Sequence, residues 1–267
     1  MVGALLWRGM LVGVAAGLLC FGFLKLVGEP PVDAAIAFEA RLEEAKAHAG
    51  TLARGTDAAA EETAPELVSR DVQAGLGLLT GVTVYGAALG GLFALAFVLA
   101  LGRIGDFSPR ATAALLAVAG FVAVYLVPML KYPPNPPAVG EPGTIGIRTA
   151  LYFSMIALSI VAMVGAAMIR ARLRSRLGAW NAALIAGGTY LITMVVAGLA
   201  MPMSNEIPPN FPAVILWQFR IASIGAQLLL WTGLGLGLGA AAEGVCGAAR
   251  GFDHRHFADA GPPRPTR

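Results

Sequence analysis

The chain has 267 residues, of which 57% are hydrophobic and only 13% charged, and its mean hydropathy is +0.71. A soluble domain carries about a quarter charged residues, and a core of this length cannot hide so much apolar surface from water, so lipid is the solvent it suits. The net charge of +3 does not point to nucleic acid, because the basic residues are scattered and no aromatic–basic stripe accompanies them.

In chain order, charge-poor apolar runs cover 4–27, 73–101, 111–130, 149–169, 178–201 and 221–242. A bilayer core takes ~20 helical residues, which each run supplies. The sequence therefore predicts an all-α, polytopic integral membrane protein with about six transmembrane helices. Arg8 and Lys25 fall inside the first run and can snorkel to opposite interfaces. No A-x-A cleavage pattern follows promptly, and bulky Leu19 precedes Cys20, so this helix is expected to be retained.

Lys and Arg in short loops mark the cytoplasmic side. Arg103 and Arg110 bracket the loop RIGDFSPR, RARLRSR (170–176) carries four arginines, and the C-terminal tail adds Arg250, Arg255, Arg264 and Arg267. These segments alternate correctly only if both termini are cytoplasmic. The segment 28–72, with ten acids against four bases, is then an acidic outer loop, as are KYPPNPPAVGEP (131–142) and PMSNEIPPNFP (202–212). Within it, 32–53 is expected to be helical, with Pro31 and Asp33 near its start, and 54–66 to be disordered. Residues 1–245 read as a single transmembrane domain and 246–267 as a flexible cytoplasmic tail.

Small residues recur at helical spacing inside the runs: Gly9, Gly13 and Gly17, then Gly77/Gly81 and Gly86/Gly90. Such ridges let backbones approach closely in lipid. GLGLGLG (233–239) spaces its glycines two apart, which spreads them around the last helix and suggests a bend.

Catalytic signatures are absent. No G-x-x-x-x-G-K-[ST], HExxH or GxSxG occurs, and His48, His254 and His256 all lie outside the apolar runs, so an enzyme is not expected. Cys20 and Cys246 belong to no ligand spacing. Inside the runs, Thr80, Thr83, Tyr85, Asn181, Thr189 and Gln227 are the modest polar candidates for an ion path.

The ionisable groups at the outer side need a reason, because charge beside a membrane is costly. Glu29, Asp33, Glu39, Glu141 and Glu206 are the candidate metal ligands, forming an outer vestibule for a hydrated divalent cation. The competing reading makes them helix caps and ion-pair partners of Arg148 and Arg220. Glu44 and His48, four apart on a helix, suit a local contact better than chelation, and Asp253-His254-Arg255-His256 reads as a solvated tail.

Gly28–Glu39 (GEPPVDAAIAFE), residues 108–153 with their proline run, Trp180–Leu184 (WNAAL) and 211–231 (FPAVILWQFRIASIGAQLLLW) resemble the probable cobalt transporter subunit (CbtA) family. The resemblance implies a membrane component for Co²⁺ uptake linked to cobalamin synthesis, in the cell (inner) membrane. It also implies a small single-span, histidine-rich partner, CbtB, which fits the scarcity of histidine here. Co²⁺ is then a substrate, and no permanently bound cofactor is expected. With no phosphate-cradling loop, inward movement would draw on the membrane potential or on the partner. The family is described with five spans, whereas this sequence counts six. Two alternatives stay open: a non-transporting assembly or scaffold protein, and a transporter for another divalent cation such as Ni²⁺.

Overall fold

The computed structural model describes residues 2–54, 68–137, 139–203 and 206–259. All the regular structure among them is helical: α1 (Val2–Phe23), α2 (Glu29–Arg54), α3 (Arg70–Val72), α4 (Leu78–Ala100), α5 (Pro109–Gly120), α6 (Val127–Lys131), α7 (Ile145–Ala200) and α8 (Ala213–Asp259), with one 3₁₀ turn at Pro142–Thr144. The segment 54–66, expected to lack order, falls outside the described residues except for Arg54. Backbone helix in α8 runs on to Asp259, through the first part of the expected tail.

Three π-helical turns join neighbouring helices into longer rods: Leu24–Gly28 between α1 and α2, Gln73–Gly77 between α3 and α4, and Phe121–Leu126 between α5 and α6. The first corrects an expectation. Pro30 and Pro31 do not open a separate helix near Val32, because the wider turn, with Glu29 N–H bonded to Leu24 O, carries the rod across them without a break. Prolines lack the N–H that an α-helix would use at those positions, and the π turn absorbs the mismatch. Pro128 follows the third π turn in the same way.

By length and composition, five continuous helical rods among the described residues can cross a membrane: Val2–His48, Arg70–Ala100, Pro109–Lys131, Ile145–Ala200 and Ala213–Val245. The fourth is two spans. At 56 residues it would extend roughly 84 Å if straight, nearly three times a bilayer core. Gly178 breaks it, with φ 77° and ψ 166°, in the left-handed half of backbone space that glycine enters freely. Beyond it the chain folds back. The Ser159 and Tyr190 hydroxyls lie 2.8 Å apart although 31 residues separate them, a gap of roughly 46 Å along a straight helix. Met155, Ala166, Ala186, Tyr190 and Met194 fill the seam between the two arms. The six-span expectation therefore stands on this hairpin.

The chain divides into two compact units, 1–17 with 83–120 and 230–267, and 18–82 with 121–229. In the first, α1 and α4 meet backbone to backbone. A Cβ on Gly13 would collide with the Gly86 carbonyl, and one on Gly90 with the Gly9 carbonyl. The glycines of α8 sit in two interleaved ridges: Gly233 and Gly237 face Ala16 and Val12 of α1, while Gly235 and Gly239 face Ala117, Ala113 and Arg110 of α5. They do not bend the helix, as the sequence suggested; each pair, four residues apart, seats a different neighbour. Trp231 lies against Gly120 and meets Phe93 edge to face at 6.2 Å. Arg110 Nε pairs with Glu243 at 2.8 Å, and Arg8 Nη1 donates to Ala241 O at 2.8 Å. The first turns of α1, the start of α5 and the stretch of α8 around Glu243 thus belong to one unit.

The second unit holds the segments expected outside. Its helix ends are fixed locally: Ala35, Val139 and Phe211 form a small apolar cluster, with Phe38 edge-on to Phe211 at 5.3 Å. Buried Cys20 donates from Sγ to Ala226 O at 3.3 Å. Phe23 packs on Gly225.

Orientation follows from loop charge, and its measurement is direct. A reporter fused after residue 267 and one inserted near Arg172 should read cytoplasmic, and one near residue 138 external. A C-terminal fusion that reads external would restore five spans.

Candidate functional site

Polar chemistry in the second unit gathers in two places. The first is where α2 faces the start of the second rod. Glu29 and Asp33 lie one turn apart on α2, so both carboxylates project on one side. Arg70, first residue of α3, bridges them. Its Nη2 pairs with Glu29 Oε2 and, at 2.8 Å, with Asp33 Oδ1, which also accepts from Nε at 3.0 Å. The Glu29 side chain is only 13% exposed, so the pair is largely screened from water. Nearby, Lys25 Nζ donates to Ala74 O at 3.2 Å.

The second place is the proline loop. Prolines 133, 134, 136 and 137 cannot continue α6, which ends at Lys131. The loop is then stapled from several sides. Tyr132, buried, donates its hydroxyl to Pro202 O at 2.8 Å, and burial raises the phenol above its ordinary value, which keeps it a donor. Arg220 of α8 donates from Nε to Pro134 O (3.3 Å) and from Nη2 to Asn135 Oδ1 (3.0 Å). Glu206 Oε2 accepts from the Glu141 N–H at 2.8 Å and lies 3.3 Å from Arg148 Nε, an ion pair without hydrogen-bond alignment. Gly140, at φ +122°, a backbone conformation that side chains rarely adopt, lies against the Arg148 guanidinium.

These staples border an open cavity of ≈ 520 Å³, within the range of small-ligand pockets. Its walls include Tyr125, Asn135, Arg148, Arg220, Ser223 and Gln227. Tyr125 Oη and Ser223 Oγ are 2.9 Å apart on its wall.

The five candidate metal ligands do not come together. Glu29 and Asp33 share Arg70; Glu206 binds the backbone of Glu141 and pairs with Arg148; Glu39 is exposed on α2. No group of three or more His, Cys, Asp or Glu side chains suited to a metal ion occurs among the described residues. His48 Nδ1 donates to the backbone oxygen of Glu44 at 2.8 Å, the local contact expected there. Of the polar residues inside the spans, Gln227 lines the cavity, whereas Asn181 and Thr189 bond back to carbonyls one turn earlier, Leu177 and Ile185. Among the described residues Arg220 pairs with no carboxylate, unlike the competing expectation; its partners there are an amide and a carbonyl. Arg70 escaped the sequence reading altogether, its one signal being a lone base at the foot of an apolar run facing an acid-rich segment.

Neither the curated proteins nor the solved structures give a match to this chain. The family description "Probable cobalt transporter subunit (CbtA)" matches residues 2–243. Covering α1 through the membrane-spanning part of α8, that match places the chain in the probable cobalt transporter subunit (CbtA) family.

Proposed function

We propose that this chain is the membrane component of a Co²⁺ uptake system serving cobalamin synthesis, resident in the inner membrane with both termini cytoplasmic. The observation that carries the reading is the family match across nearly every span of an apolar helical protein. The small histidine-rich partner CbtB would supply the metal-collecting groups, which suits a chain with three histidines. The sequence carries no nucleotide-binding motif of its own, and the driving force in this reading is the membrane potential, about 2.3 kcal/mol per charge per 100 mV and roughly twice that for a divalent ion, or the partner. The outer carboxylates enter this reading as fasteners, because Glu29, Asp33 and Glu206 already have guanidinium partners.

A second reading, a non-transporting assembly factor, is favoured by one observation. Asn181, Thr189 and Thr193 bond back to carbonyls of their own helix one turn earlier, which leaves fewer polar groups within the spans to line an ion path. Liposome uptake separates the two. Purified protein with its partner, under a negative-inside diffusion potential, should take up Co²⁺ well above empty vesicles, and Ni²⁺ competition ranks the cations. No uptake with or without the partner would leave the assembly role standing.

A further inference from the structure

We propose that the cavity walled by the proline loop and α8 is a binding site for an oxyanion, a phosphate or carboxylate group, separate from any path for the metal. Two guanidinium groups, Arg148 and Arg220, line it, and among the described residues no Asp or Glu does. Arg148 has a counter-charge in Glu206, at 3.3 Å. Arg220 has none among the described residues: its protein partners are the Pro134 carbonyl and the Asn135 amide oxygen, both neutral. The guanidinium carries five N–H donors and those two bonds use only two of them.

The position makes this costly. Arg220 lies on the helix Ala213–Val245 at the outer edge of its apolar run 221–242, and it is partly buried; an ionised side chain beside hydrocarbon normally marks a functional site and is paired. Lys131, whose Nζ sits 5.8 Å from the Tyr132 ring centre, adds a further positive charge to the same loop. Around these cations the wall offers neutral hydrogen-bonding groups, Tyr125, Ser223, Asn135 and Gln227, the mixture that fixes a planar or tetrahedral anion by one strong charge and several dipoles. The two guanidinium charges disfavour a bare divalent cation there. The anion can be a free ion from solution or the phosphate of a lipid headgroup, since both present the same oxygens.

The decisive variant is Asn135→Asp. It keeps size and shape, leaves the staple to Arg220 in place, and puts a carboxylate where Arg220 Nη2 now bonds an amide oxygen 3.0 Å away. The internal anion should displace the external one. Full-length protein in neutral detergent is titrated with inorganic phosphate and followed by its melting temperature. In parallel, it is reconstituted in nanodiscs of phosphatidylcholine with or without phosphatidylglycerol. A saturable stabilisation by phosphate that weakens at least about tenfold in Asn135→Asp identifies a free-ion site. Stabilisation by phosphatidylglycerol alone, lost in the same variant, identifies a lipid headgroup site. Arg220→Gln, which removes the cation itself, should repeat the loss in whichever arm responds. Wild-type protein indifferent to both anions, or stabilised equally with Asn135→Asp, overturns the proposal.

Discussion

Replacing Gly13 by leucine is expected to remove the folded protein from the membrane. Gly13 meets the backbone of Gly86 and Gly90, so a side chain there has no flexible neighbour to push aside. In a bilayer there is no water to expel, and close van der Waals contact is the main attraction between helices. Separating α1 from α4 forfeits the contact along the whole ridge, not at one atom. Overpacking ordinarily costs about 1–3 kcal/mol, and against two backbones the loss should reach ~3 kcal/mol or more. The control is Gly22→Leu on the same helix, where nothing lies within 4 Å of the added carbon. Size-exclusion of detergent extracts should show a near-complete loss of monodisperse protein for Gly13→Leu and a normal peak for Gly22→Leu. Equal peaks for both would mean that α1 and α4 do not pack on this ridge.

Arg70→Gln is the second large expected effect. It strands the Glu29 carboxylate, 13% exposed, without its partner. Leaving a buried charge unpaired costs about 3–5 kcal/mol in a deep site. With Arg70 30% and Asp33 62% exposed, about 2 kcal/mol is the fitting scale here. The melting temperature should fall by several degrees. Adding Glu29→Gln and Asp33→Asn removes the stranded charges and should restore most of the loss, the non-additivity of coupled groups. Cobalt uptake per folded molecule should be unchanged in this charge-free triple variant if the carboxylates are fasteners. Uptake abolished in a triple variant of normal stability would instead assign Glu29 and Asp33 to the cation.

The spans were legible because bilayer thickness sets a length and lipid sets a composition, and both are local properties of the chain. The α7 hairpin was legible for the same reason: RARLRSR is too charged to sit in hydrocarbon, so the run had to stop before Gly178. Local chemistry also exposed the ridges of Gly9/Gly13 and Gly86/Gly90. Partners were not legible. Glu29 finds Arg70 41 residues away and Arg220 finds Asn135 85 residues away, and nothing in either sequence neighbourhood encodes the meeting. The continuous rod across Pro30 and Pro31 was hidden because proline ordinarily signals a helix start, and only the preceding π turn cancels that signal. The cavity was hidden too, since its wall comes from residues scattered between Tyr125 and Gln227.

The paired ridges of α8 leave a problem of register. Gly233/Gly237 and Gly235/Gly239 are offset by two residues, so sliding α8 by about 3 Å and rotating it by about 200° would superpose one glycine pair on the other's place. Glycines alone cannot tell the helix which of those two settings is correct, for every candidate position offers the same bare backbone. The distinction must come from bulk and charge at the ends of the run. Trp231, seated on Gly120, fixes one end, and Glu243, held by Arg110, fixes the other. Between these two pins the glycine ladder behaves as a smooth rail whose position is set from outside, so a one- or two-residue insertion between 231 and 243 would misalign the helix more severely than any single glycine substitution within it.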